Sequence, residues 1–185
     1  MNISVPEGLN PPNYTFDSNG NVVLSWVPPA YPNGQIISYT LISVASSSAL
    51  YSGVSLSFVD SSVVPGQTYS YYLIVSTSAG SASSATILVS TPERIPVGLP
   101  TPVVIVDNST AMLVTWTSPS FSNGFIFTYR VVLNATVVFS GLVTSVTLGS
   151  LSPYSVYAVQ VSACNSAGCL LSSAALARTL AAGQF

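Results

Sequence analysis

The sequence predicts an all-β chain built as two β-sandwiches in tandem, over residues 1–92 and 93–185. Three observations carry this expectation. The chain repeats itself once, apolar residues within each copy alternate with a period of two, and no long stretch keeps the 3.6-residue period of a helix. About seven short runs can be drawn in each copy, which fits a sandwich of two antiparallel sheets.

The repeat is read from aligned residues. Residues 25–41, SWVPPAYPNGQIISYTL, match residues 115–131, TWTSPSFSNGFIFTYRV, at an offset of 90. Trp26 pairs with Trp116, Pro29 with Pro119, Asn33-Gly34 with Asn123-Gly124, and Tyr39 with Tyr129. Further on, Pro65, Tyr69 and Gly80 pair with Pro153, Tyr157 and Gly168 at an offset of 88. The two residues lost in between belong in a surface loop. A unit of this length is too long for a solenoid repeat and right for a small domain.

The elements follow in chain order. Val22, Leu24 and Trp26 alternate with Val23 and Ser25, a strand with one core face. Asn33-Gly34 is a loop before the strand that contains Tyr39, and its glycine is expected to take positive φ. Tyr69, Tyr71, Leu73 and Val75 alternate with Ser70, Tyr72, Ile74 and Ser76, a second one-faced strand, and STSAG turns it. TPERIP, with Pro92 and Pro96, is a short semi-rigid boundary between the copies. The second copy then repeats the pattern with Met112, Val114 and Trp116, and with Tyr157, Val159, Val161 and Ala163.

Charge is the unusual feature of the composition. Only three arginines and five carboxylates are charged, 4% of the chain, with no Lys and no His, against roughly 25% in ordinary domains. The surface therefore consists of hydroxyls, amides, glycine and apolar side chains. Three scattered arginines cannot displace the counterions of a nucleic acid, nor hold an anionic membrane surface. The apolar runs YYLIVSTSAG and FIFTYRVVLNATVVF are broken by polar residues short of the ~20 residues a bilayer needs, so no direct membrane insertion is expected. The start, MNISVPEGLN, has neither a basic segment nor an apolar h-region, so it does not read as a signal peptide.

These residues resemble fibronectin type III repeats. The pattern is a strand ending in Trp, then Pro, then Asn-Gly and a strand with Tyr. Leu151, Pro153 and Tyr157 follow in the second copy, and Val64, Pro65 and Tyr69 in the first, before Ala163, Asn165 and Gly168. The resemblance covers nearly the whole chain. Within the family, PSFSNGFIFTYRV and ACNSAGC resemble the repeats of a large matrix and cell-surface protein, although the first copy lacks both cysteines. The resemblance implies immunoglobulin-like sandwiches with Trp26, Trp116, Tyr39 and Tyr129 in the cores. It implies that Tyr69 and Tyr157 are tyrosine corners whose hydroxyls bond backbone where the chain changes sheets. Replacing either with Phe is expected to strand a buried acceptor, at a cost of about 1–2 kcal/mol.

Catalysis by a serine needs a neighbouring base, and His and Lys are absent. Glu7, Asp17, Asp60, Glu93 and Asp107 are widely spaced, and the three aspartates read as turn residues, so no catalytic residue and no enzyme activity are assigned. Two cysteines do not make a zinc site and no Asp-x-Asp spacing offers a calcium site, so neither metal nor cofactor is expected. Asn2, Asn13, Asn108 and Asn134 head N-glycosylation triplets, where a chain of this composition gives about two or three by chance. Placed in the repeat, Cys164 ends one strand and Cys169 opens the next across an Asn-Ser-Ala-Gly turn, so the pair is expected to form a disulfide, with a reduced pair as the alternative. Arg130 and Arg178 read as outward strand residues, while Phe125, Phe127, Ile74 and Leu170 are expected to face outward, either as an apolar contact patch or covered by glycans or by neighbouring domains of a longer chain.

The resulting expectation is a non-catalytic extracellular spacer and protein-interaction module of a larger adhesion, matrix or cell-surface protein. Its partners would be a protein ligand or neighbouring domains of the same chain, and not nucleic acid. The alternative is an accessory module of a secreted carbohydrate-active enzyme or surface-layer protein.

Overall fold

A computed structural model describes residues 4–183. It is all-β, and the chain divides into two compact units, Met1–Pro92 and Glu93–Phe185. Asn2 lies outside the described residues.

In the first unit, β1 (Asn13–Phe16), β2 (Val22–Ser25) and β5 (Ser57–Asp60) form one antiparallel sheet in the order β1-β2-β5. The second sheet runs β4-β3-β6-β7, from β3 (Ile36–Ser43), β4 (Ser48–Gly53), β6 (Thr68–Thr77) and β7 (Gly80–Ser83). β8 (Ile87–Ser90) also pairs with β6. The second unit repeats this. β9 (Val103–Val106), β10 (Met112–Thr115) and β13 (Ser145–Leu148) form the sheet β13-β10-β9. β11 (Thr128–Leu133), β12 (Thr136–Gly141), β14 (Val156–Asn165) and β15 (Gly168–Leu171) form β12-β11-β14-β15, with β16 (Ala175–Arg178) also on β14.

Each unit thus has eight strands where about seven were expected, because the last strand is broken in two. The break has the same chemistry in both copies. Ser84 N donates to Leu73 O at 2.8 Å, while Leu73 N donates to the Ser84 hydroxyl at 3.0 Å. Ser172 does the same with Val161, at 2.8 and 3.0 Å. A serine hydroxyl therefore replaces one backbone carbonyl in the ladder, and the chain bends there without stranding a buried N–H.

The period-two alternation sends one face of every long strand inward. Val22, Leu24, Trp26, Tyr39, Leu41, Tyr71, Leu73, Val75 and Val89 make the first core. Met112, Val114, Trp116, Tyr129, Val131, Val159, Val161 and Ala163 lie at the centre of the second. Each Trp packs against the Tyr of the following strand, with ring centroids 6.1 Å apart for Trp26–Tyr39 and 6.0 Å for Trp116–Tyr129. Neither buried indole nitrogen has an acceptor within the protein, so the rings are held by packing while the backbone N–H of each Trp bonds Leu56 O or Thr144 O.

The chain changes sheets between β5 and β6, and between β13 and β14. Val64 N donates to the Tyr69 hydroxyl, and Ser152 N to the Tyr157 hydroxyl, both at 2.8 Å. Both tyrosines are half-buried and pack on the edge of the core. The group a Phe would strand is therefore a backbone donor, not a buried acceptor. A second residue closes the same corner. The Thr179 hydroxyl donates to Ser152 O at 2.7 Å and accepts from Ser155 N at 3.0 Å, and it is only 1% exposed. Thr91 makes the matching bonds to Val64 O at 2.7 Å and Gln67 N at 3.0 Å.

Asp60 is more than a turn residue: it accepts from Ser62 N at 2.9 Å as a turn aspartate does, but it also ends β5 and is buried, and its carboxylate accepts from the Tyr71 hydroxyl at 2.9 Å and the Ser62 hydroxyl at 2.6 Å. Burial first, then the hydrogen bond to Asp60, pushes the Tyr71 phenol far above its usual range. Asp17 does sit in a turn, where Asn21 and Asn19 donate to it and hold its carboxyl below the usual range. In the Asn-Gly loops the glycine takes positive φ only at Gly124, with φ of 148°, and not at Gly34, while both asparagines are left-handed, with φ of 54° at Asn33 and 50° at Asn123. The reason is a side-chain bond, from Asn33 Nδ2 to Val5 O at 2.9 Å and from Asn123 Nδ2 to Ile95 O at 3.0 Å.

The corner sets an order of stabilities. Thr179→Val leaves a buried N–H and C=O unpaired and is expected to destabilise by about 1–3 kcal/mol. Tyr157→Phe frees an N–H that water can reach and is expected to cost about 1 kcal/mol or less. Urea unfolding of the two variants checks the order, which fails if the Phe variant is the weaker.

Candidate functional site

The residues of ACNSAGC come together with the start of the second unit and the loop before β11. Cys164 and Cys169 are directly opposite each other on β14 and β15 and form a disulfide, with sulfurs 2.04 Å apart. The hairpin is tighter than the expected four-residue turn, because Asn165 and Gly168 still pair and only Ser166 and Ala167 stand outside the ladder. Cys164 is buried and Cys169 exposed.

Asn165 is the centre of this cluster. It is 2% exposed, and its amide nitrogen lies 2.6 Å from Arg94 O, 3.0 Å from Ser122 O and 3.4 Å from Asn123 O. Its oxygen accepts from Ala167 N at 3.0 Å and Gly168 N at 3.2 Å. One side chain thus joins the hairpin, the entering segment and the loop before β11. Glu93 completes the arrangement. Its carboxylate accepts from Phe125 N at 2.9 Å, Ser166 N at 2.8 Å and the Ser166 hydroxyl at 2.6 Å. These bonds, that from Phe125 first, hold its carboxyl below the usual range. Gly124 has to be glycine here: its φ is 148°, and a Cβ would collide with the Glu93 side chain.

This clamp leaves aromatic side chains in solvent. Phe121, Phe125 and Phe127 are 63%, 72% and 49% exposed. Ile74 is half-buried on the outer face of β6. Leu170 does not face outward: its ladder partner is the core residue Ala163, and it packs against the core, while Leu171 is the exposed neighbour. The arrangement offers shape and apolar contact rather than reactive groups. Among the described residues no three His, Cys, Asp or Glu side chains cluster to hold a metal.

The glycosylation triplets are dispersed. Asn13 opens β1 and is exposed. Asn108 is half-buried in the turn after β9, where its side-chain oxygen accepts from Thr110 N at 2.8 Å and the Thr110 hydroxyl at 3.2 Å. Asn134 is exposed at the β11–β12 turn, with φ of 47°, and its oxygen accepts from Ala158 N at 2.9 Å. The sequence alone did not assign a role to Asn165, Thr91 or Thr179. Thr91 and Thr179 carried a signal, since they match at the same offset of 88 as the tyrosines. Asn165 stands in the family pattern with Ala163 and Gly168, but the internal repeat does not mark it, because Thr77 stands at its place in the first copy.

Two outcomes are expected. C164A/C169A is expected to lower the stability of the second unit by about 2 kcal/mol or less, because the loop it closes is short. Chemical denaturation measures this, and loss of folding would contradict it. The Glu93 clamp has a folded pKa below the ordinary 4.5. Its contribution is therefore full above that value and drains away as pH falls through the lowered one. Glu93→Gln should abolish that part of the acid sensitivity, read as melting temperature against pH.

Residues 99–178 match the family model for the fibronectin type III domain. Human usherin is 34% identical over 188 residues and rat usherin 32% over 180, each alignment taking in 96% of this chain. The rat phosphatidylinositol phosphatase PTPRQ is 29% identical over 167 residues, or 85% of the chain. The chain spans only 4% of either usherin and 7% of that phosphatase. With two sandwiches of one topology, each with its core Trp and corner Tyr, the chain is a tandem of fibronectin type III domains similar to the repeats of usherin.

Proposed function

We propose that this chain is a non-catalytic extracellular spacer and protein-interaction module of a larger adhesion, matrix or cell-surface protein. The observation that carries the reading is the similarity to usherin over 96% of this chain but 4% of the relative, as repeated modules of a long protein would show. The disulfide supports an oxidising, extracellular setting. The charge-poor surface with exposed aromatics supports contact with protein. The similarity favours this reading over an accessory module of a carbohydrate-active enzyme.

The phosphatase relative does not bring its activity here. The chain holds no His or Lys, and both cysteines are in the disulfide. We assign Asn13, Asn108 and Asn134 as glycan acceptors, since each stands on a strand end or turn and in the last two the amide oxygen is already engaged.

Secretion of the chain from a mammalian host, followed by intact mass with and without deglycosylation, is expected to show glycan mass at one or more of these sites. Surfaces coated with the chain are expected to retain matrix proteins or cells saturably. Measurable turnover of a phosphate or glycosidic substrate by the chain alone would overturn the non-catalytic reading.

A further inference from the structure

We propose that the outer face of the five-stranded sheet in the second unit is a docking surface for a protein partner that presents carboxylates among apolar side chains. This rests on the interaction-module reading and gives it a face and a chemistry.

The alternation that buries Tyr129, Val131, Tyr157, Val159 and Val161 turns Arg130, Val132, Val156 and Ala158 outward. β16 follows the same rule, and the ladder sets Leu176 beside Ala158 and Arg178 beside Val156. Arg130 stands beside Ser162 on the same β14. Both arginines of this sheet therefore share one face. Ser162 and Val156 are six positions apart on β14, which separates the two cations by about 20 Å along the strands. Towards Arg178 the surface is apolar, with Leu176 75% and Val156 49% exposed, while Gln160 lies between the two arginines and Ser140 beside Arg130. The two carboxylates of the unit lie off this sheet, Glu93 in the entering segment and Asp107 at the turn between β9 and β10.

A third residue joins the face at its end. Tyr154 is 67% exposed, and the Arg178 guanidinium lies 4.9 Å from the centre of its ring. Its φ is 49°, in the left-handed region that a bulky side chain avoids. The first unit has Gly66 at this position, with φ of 70°. A tyrosine is thus kept where the fold favours glycine, which points to a role outside stability.

The first unit serves as the internal control. Thr40 and Ser90 stand where the second has Arg130 and Arg178. Their hydroxyls are satisfied within the sheet, Thr40 with Ser52 at 3.3 Å and Ser90 with Thr68 at 3.0 Å. Three of the differences between the two sheets thus converge on one face, adding Arg130, Arg178 and Tyr154, while the same face of the first unit carries Tyr72 and Ile74 where the second has Gln160 and Ser162. Arginine and tyrosine are the side chains that interfaces favour, and a face with no carboxylate of its own attracts one from a partner. Cations this far apart suit a protein surface better than a small anion.

The test pans a random-peptide phage library on the whole 185-residue chain. The enriched peptides are expected to combine Asp or Glu with apolar residues and to weaken as salt rises. Arg130→Thr with Arg178→Ser, the residues of the first unit, should weaken them about tenfold or more. Tyr154→Gly should weaken them without lowering the melting temperature, a result that a structural role would not give. Peptides that lack acidic residues, or that ignore all three changes, would overturn this face while leaving the interaction reading standing. If no peptide is enriched and the chain retains no matrix protein, both readings fail. Arginine-dependent binding of heparin without any peptide would make the face a polysaccharide site and overturn the protein partner.

Discussion

Everything in each unit depends on carrying the backbone from one sheet to the other without leaving its polar groups unpaired. Two one-faced sheets bury their apolar sides only if the chain crosses between them, and a crossing takes backbone out of both ladders. Here the crossing is held by hydroxyls. Thr91 and Thr179 each donate to one carbonyl and accept from one N–H of the corner, and Tyr69 and Tyr157 accept a further N–H. With the corner fixed, β6 and β14 enter the second sheet in the register that turns Leu73, Val75, Val159 and Val161 inward. A one-residue slip would send that whole set to solvent.

The same use of neutral groups recurs where other proteins use charge. Ser84 and Ser172 stand in for a backbone carbonyl, Asn33 and Asn123 tie a loop to the entering chain, and Asn165 gathers three segments of the second unit. Hydroxyls and amides satisfy backbone at a smaller desolvation cost than ions do, so these contacts close with only 4% of the chain charged. What the missing charge alters is the surface. Against so neutral a background, Arg130 and Arg178 on one face of the second unit are a stronger signal than two arginines on an ordinary domain.

The two copies separate what the fold needs from what it tolerates. Both keep the Trp, the Tyr beside it, the corner Tyr and the Thr that closes the corner. Among the described residues, only the second has the disulfide, the Asn165 hub and the Glu93 bonds, so those serve its hairpin and not the sandwich. The first unit has its own addition in the buried Asp60–Tyr71 pair, where the second has Leu148 and Val159.

By itself the sequence determined the all-β class, the tandem arrangement, the core faces and the positions of the Trp and Tyr residues. Those follow from a period of two and an internal repeat, which are local and can be read without knowing what packs on what. Only the tertiary structure decided which groups meet across long separations. It brought Glu93 to Ser166, Asn165 to Arg94, and Tyr154 under Arg178. It also placed Asp60 inside and turned Leu170 inward where a run of three apolar neighbours hid the direction. Hydrogen bonds between loops are set by where the strands end and how the corners close, and no periodicity in the chain encodes that.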